Sequence, residues 1–236
     1  MSRRFNSLIW LLLLAAILFW QQPTAWTFAQ QAPPAASGLS VVVLDPAHGG
    51  TDPGARGASG IVEKDVVLAF ARSLAVQLER QGLRVVLTRQ GDQTLSFDER
   101  AAIANAQRGA VFVSLHAGST GVPGTARTYS FSGELETGGG GLLKWNSAQA
   151  PFLEQSKKLS ELMQIQIGLK LRGSPEIPAA AALRQLRHVA APAVAVEIAS
   201  VSVADRTTLE AALPALAEAI VQGVASFRPL YSAVNF

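Results

Sequence analysis

Apolar and polar positions along this chain fall into blocks that switch between two periods. Predominantly apolar runs at Leu39 to Leu44, Leu83 to Thr88 and Ala110 to Leu115 are short and rich in valine and leucine, as strands buried on both faces are. Between them lie two segments of helical period, Lys64 to Arg80 and Leu95 to Gln107. In the first, Val67, Phe70, Leu74 and Leu78 share one face, and Gly82 stands just past the end as a stop signal. This β-α-β-α-β rhythm predicts an α/β fold with a largely parallel sheet covered on both sides. Further on, Thr125 to Phe131 reads as a strand, Pro151 to Leu171 as a helix opened by proline, and Ala193 to Ile198 as a short buried strand. Leu209, Leu213, Leu216, Ile220, Val224 and Phe227 trace one stripe of a closing helix. The pattern shows no internal repeat and no second domain. Ser132 to Ala150 reads as a long loop, with Gly138 to Gly141 followed by Leu142, Leu143 and Trp145, and is either a lid or binding element or a flexible insertion.

Composition narrows the class. With 236 residues, 49% of them hydrophobic, the chain can bury a sizeable single core, which excludes disordered and fibrous proteins. A net charge of +3, with arginines scattered among acids, argues against a nucleic-acid partner. Cysteine is absent, so a metal site would have to use nitrogen and oxygen ligands. Arg3 and Arg4 precede an apolar run from Leu8 to Trp20 that is shorter than the roughly 20 residues of a membrane span, so the start reads as an export signal. Cleavage after Thr27-Phe28-Ala29 is the expectation and an uncleaved anchor the alternative; the residues around Ser2-Arg3-Arg4 fit a twin-arginine signal poorly. The expected division is a signal or anchor over residues 1–29, a Gln-, Pro- and Ala-rich linker over 30–38, a catalytic domain over 39–230 and a tail over 231–236. The location expected is the periplasm or cell envelope, with membrane contact only through the N-terminal segment.

Chemistry gathers at the strand ends. Of three histidines, His48 closes Val41-Val42-Val43-Leu44-Asp45-Pro46-Ala47-His48-Gly49-Gly50, and His116 follows Val111-Phe112-Val113-Ser114-Leu115. In a parallel sheet the carboxyl ends of strands share one edge, where ligands bind. Glu63, just before the first helix, can approach the same edge. Two imidazoles and a carboxylate form a set that zinc accepts, with a fourth position left for water. Taken singly, each residue has a plainer explanation: Glu63 as an acid at a helix N-terminus, His48 as a turn residue, His116 as a satisfied loop histidine. Glu197, inside Pro192-Ala193-Val194-Ala195-Val196-Glu197-Ile198, is a carboxylate in a buried strand with no basic residue beside it in sequence. Buried alone it would be strongly penalised, so it is either paired with a distant Arg89 or Arg100, or it is a general base that takes a proton from the attacking water and passes one to a leaving nitrogen.

These blocks resemble zinc-dependent N-acetylmuramoyl-L-alanine amidases of bacterial cell-wall peptidoglycan, over nearly all of Leu39 to Pro229. The resemblance rests on Leu44 to Gly50, Asp52-Pro53-Gly54-Ala55, Gly60, Glu63-Lys64-Asp65-Val66, Leu87-Thr88-Arg89, Asp92, Arg100 and Ala104-Asn105. It continues through Val113 to Ala117, Leu186-Arg187, Pro192-Ala193 and Val196-Glu197. It implies a twisted, mixed sheet of about six strands flanked by helices. It also implies one zinc ion held by His48, Glu63 and His116, with Glu197 as the catalytic acid/base. The reaction implied is hydrolysis of the amide between the lactyl group of N-acetylmuramic acid and the L-alanine of the stem peptide. A non-catalytic peptidoglycan-binding or amidase-regulating module, and a zinc peptidase cutting within the stem, are the alternatives. Asp45 is expected to orient His48, Arg89 and Arg100 to hold loops by ion pairs, and His188 to lie on the surface.

The chain departs from the family pattern at particular places. Ala47 stands where glycine is usual, Gly118 where asparagine is usual, Arg127 where an acid is usual, and Ala199-Ser200-Val201-Ser202-Val203 replaces a Gly-Phe-hydrophobic-Ser-Asn stretch. The metal set is untouched, whereas the groove beside it is altered. No wall-binding module is recognisable, and the loop from Ser132 to Ala150 is too rich in glycine for a long regulatory helix. Either constitutive activity or control by an unidentified activator protein follows, with Leu142 and Trp145 as candidate contacts.

Overall fold

The computed structural model describes residues 38–57, 60–135, 145–199 and 206–232. The signal, most of the linker, Leu142 and residues 200–205 lie outside these.

Six strands form one sheet: β1 (Val41–Pro46), β2 (Arg84–Leu87), β3 (Ala110–Gly118), β4 (Ala126–Phe131), β5 (Ala179–Ala181) and β6 (Ala193–Ala199), in the order β2-β1-β3-β6-β4-β5. β2, β1, β3 and β6 run parallel, whereas β4 is antiparallel to β6 and parallel to β5. The helices are α1 (Glu63–Arg80), α2 (Phe97–Asn105), α3 (Leu153–Lys170), α4 (Arg184–Arg187) and α5 (Arg206–Phe227). All six residues of β1 are buried, as a central strand covered on both faces requires.

Alternation along the strands divides the core in two. Val42, Leu44, Val113, Leu115, Val194 and Val196 face a thick layer made by α1, α3 and α5. Val41, Val43, Phe112, Ala193 and Ala195 face a thinner layer with Ala101 and Ala104 of α2 and Leu186 of α4. The stripe Val67, Phe70, Leu74, Leu78 is buried as its spacing predicts; each large apolar side chain so buried contributes about 1.5–3 kcal/mol. In α5 the expected stripe is likewise inward, although Leu213 is only partly buried.

This topology fixes where a ligand can bind. From β1 the chain crosses through α1 to β2 on one side, then through α2 back to β3 on the other side of β1. The connections therefore diverge between the carboxyl ends of β1 and β3, and such a switch point leaves a crevice. By the same alternation, His116 on β3 and Glu197 on β6 point to the thinner side of the sheet.

Candidate metal centre and groove

After β1 the chain turns sharply at His48, which has φ +61° and is the one non-glycine residue in left-handed backbone among the described residues. That conformation costs about 1–3 kcal/mol unless its surroundings impose it. Two buried arginines do so. Arg89 donates to the carbonyls of Pro46, Ala47 and Lys64 at 2.8, 3.0 and 2.7 Å. Arg100 donates to the carbonyls of Pro46 and His48 at 2.9 and 2.7 Å and pairs with Asp45 at 2.6 Å. Both hold the loop as expected, but only Arg100 does so through a carboxylate, and both are committed to this loop and its neighbours instead of to Glu197. Asp45 accepts from Thr88, Ser114 and Arg100, and so is committed away from His48. The orienting role expected of Asp45 falls to Asp52, whose Oδ2 lies 2.7 Å from His48 Nδ1.

Glu63 is the first residue of α1 and is buried. Its Oε2 accepts from the backbone N–H of Ala55 at 2.8 Å, and its Oε1 from that of Ala117 at 2.9 Å. The same Oε1 lies 3.1 Å from His48 Nε2 and 3.1 Å from His116 Nδ1. Position 54 must be glycine, because a Cβ there would stand 2.4 Å from Glu63 Oε2 and 2.6 Å from His48 Cδ2. Burial opposes the charge on Glu63, but hydrogen bonds from His116, His48 and the two backbone N–H groups outweigh it and hold the carboxyl far below the usual carboxylate range. Glu63 in turn raises the proton affinity of His48, against an opposing effect of burial, and Asp52 adds to the rise.

One donor atom each from His48, Glu63 and His116 lies within 4.8 Å of the others. Zinc bound tetrahedrally at ~2.0–2.1 Å needs its donors roughly 3.3 Å apart. The two nitrogen-to-oxygen separations of 3.1 Å meet that requirement, and Asp52 on the outer nitrogen of His48 supplies the carboxylate–histidine support usual for such a ligand. Gln185 approaches the outer nitrogen of His116 at 3.4 Å.

Glu197 is the direct neighbour of His116 across the β3–β6 pair, and Arg127 is its neighbour across the β6–β4 pair. Basic company absent from the sequence around Glu197 is thus supplied by the next strand. Tyr129 is hydrogen-bonded to both Glu197 and Arg127, and burial together with that carboxylate pushes its hydroxyl pKa up. At position 118 a Cβ would stand 2.1 Å from Glu197 Oε1, so the carboxylate occupies space that the missing side chain leaves.

A family model described as N-acetylmuramoyl-L-alanine amidase matches residues 42–226. The chain belongs to this amidase family. Over 117 residues it is 41% identical to the N-acetylmuramoyl-L-alanine amidase AmiC of Neisseria meningitidis serogroup B, a match covering 50% of the chain and 26% of that protein. An endolysin of Bacillus phage SPP1 is 32% identical over 192 residues, which are 78% of the chain and 65% of the endolysin. Among solved structures, the amidase AmiC2 of Nostoc punctiforme superposes with a TM-score of 0.60 at 29% identity, covering 81% of the chain and 98% of that structure. The chain therefore spans about a quarter of the length of the AmiC it matches.

Within this amidase domain the structure brings together all four residues singled out by sequence, and it adds others. Gln185 and Tyr129 carry no periodic or motif signal that separates them from ordinary polar residues, and Asp52, although within a motif block, carries none that marks it as the partner of His48. His188, set aside as a surface residue, is hydrogen-bonded through Nδ1 to Asp98 at 2.6 Å in a cleft beside α2. Trp145 stacks obliquely on His188, ring centroids 5.7 Å apart.

Proposed function

We propose that this domain is an exported zinc amidase that hydrolyses the bond between the lactyl group of N-acetylmuramic acid and L-alanine in peptidoglycan. The observation that carries the reading is the convergence of His48, Glu63 and His116 on one point, with Glu197 across one strand pair from His116. His48, Glu63 and His116 would hold the ion, and zinc when bound supplies Lewis acidity and an acidified water. Asp52 and the backbone N–H groups of Ala55 and Ala117 keep two of those ligands oriented. Glu197 takes a proton from the attacking water and returns one to the leaving nitrogen, while Tyr129 fixes the carboxylate. Export is supported by Arg3 and Arg4 ahead of the apolar run from Leu8 to Trp20.

Glu197→Gln should keep zinc and lose hydrolysis by several orders of magnitude; release of stem peptides from sacculi at the parent rate would sink the mechanism. Zinc should be stoichiometric in the parent and lost in His48→Ala. Mass analysis of the digest identifies the bond: free stem peptide supports the amidase, a trimmed stem a peptidase, and no product a binding module.

A further inference from the structure

The groove continues past the metal cluster in both directions. On one side, a hollow of about 350 Å³ holds Glu197, Tyr129 and Ser119. His116 and Gln185 form its boundary with a second hollow of about 470 Å³, which holds His48, Leu95 and Phe97. Ser96 and Phe97 in turn border a third, of about 270 Å³, lined by Asp98, Arg184 and His188. The metal cluster thus sits part-way along a row of three.

Chemistry sets the direction of a substrate along this row. The group that returns a proton to the leaving nitrogen is Glu197, so the amine half of the scissile amide must face the first hollow. The acyl half then leaves toward His48 and Phe97. In a muramyl amide the acyl carbon is only a few bonds from the sugar ring, so the sugar falls on the Phe97 side.

That side is built differently from a peptide groove. Phe97, which lines both the second and third hollows, is 41% exposed, and Trp145, whose ring packs on His188 of the third, is 49% exposed. The Arg184 guanidinium lies over Phe97, 5.4 Å from its centroid, and Asp98 accepts from His188 at 2.6 Å and from the Trp145 indole at 3.5 Å. Asp98 keeps most of its side chain, 66%, in solvent, so it repels an acidic stem peptide but accepts hydroxyl groups. Partly exposed aromatic rings beside a largely solvent-exposed carboxylate and a guanidinium match the C–H face, hydroxyls and acetamido carbonyl of an N-acetylhexosamine. We propose that Phe97, Asp98, Trp145, Arg184 and His188 form a saccharide subsite for the glycan on the acyl side of the scissile bond. The inference rests on the amidase reading for its direction, but not for its ligand chemistry.

Calorimetry with the full chain separates the two. A peptide-free tetrasaccharide of alternating N-acetylglucosamine and N-acetylmuramic acid should bind the parent, bind Trp145→Phe comparably, and bind Trp145→Ala about tenfold or more weakly. A stem tripeptide should bind parent and Trp145→Ala alike. In hydrolysis, Trp145→Ala should raise KM for a disaccharide-tripeptide about tenfold more than for the corresponding D-lactoyl-tripeptide. No tetrasaccharide binding by the parent, or a loss confined to the tripeptide, overturns the subsite. Failure of the parent to cut either substrate, with tetrasaccharide binding intact and sensitive to Trp145, overturns the amidase reading and leaves the subsite standing.

Discussion

Glu197 Oε1 occupies the space that a Cβ at position 118 would fill, at a separation of 2.1 Å. A side chain there has to displace the carboxylate from its present position, because β3 and β6 are locked in register as far as Gly118. Gly118→Asn, which restores the family's usual residue, should therefore lower kcat rather than raise it, by about tenfold or more, with zinc content and melting temperature close to the parent's. Equal or higher kcat would mean that Glu197 swings freely and that its observed position is not the working one. Arg127 bears on the same carboxylate from the other side, and its buried Nε has no hydrogen-bond partner. The family resemblance leads to the expectation of an acid near Tyr129, whereas in this chain Glu197 is flanked by the cation of Arg127. The residues at 118 and 127 thus bear together on one group, which their separation in sequence conceals.

Among the elements, α3 and α5 pack tightly against each other. Gly223 of α5 lies against the backbone of α3, where a Cβ would stand 2.7 Å from Met163 Cα and 3.0 Å from its Cβ. Since backbone cannot yield as a side-chain tip does, Gly223→Val should cost about 1–3 kcal/mol or more, read as a lower midpoint in thermal or urea unfolding. An unchanged midpoint would show that the helices slide apart without penalty. Elements with a long period or a fully buried run were legible in the sequence: β1, α1 and α5 appear where the apolar pattern puts them, within a few residues. α2 starts at Phe97, two residues later than predicted, because Ser96 and Glu99 form a capping box that ends the preceding turn. The three-residue β5 and the four-residue α4 were not legible, since neither is long enough to show a period. The antiparallel sense of β4 was equally hidden: alternation tells which residues face the core, and only the path of the connection tells which way the strand runs.

For the whole molecule, the His48, Glu63 and His116 cluster is a clasp joining three separate pieces: the loop after β1, the start of α1 and the end of β3. The cluster of His48, Glu63 and His116 was legible because two of its members end buried runs and the third opens a helix, all on one edge of a parallel sheet. The saccharide arm was not, because His188 and Asp98 meet across 90 positions of sequence and only the fold places α4 beside α2. The clasp has a stability consequence that does not depend on activity. Without an ion, Glu63 still has hydrogen bonds from Ala55, Ala117 and both imidazoles, so no buried charge is left unpaired and the domain should stay folded after chelation. Zinc that binds only the folded state adds about 2.7 kcal/mol at a free concentration a hundredfold above its Kd. For a domain of this size, that amounts to roughly 5–10 °C in Tm. Differential scanning of chelated and zinc-loaded protein should show this shift in the parent, and His48→Ala should abolish it. Loss of the cooperative transition on chelation would instead mean that the ion is needed to form the fold, and a shift that persists in His48→Ala would place the zinc elsewhere.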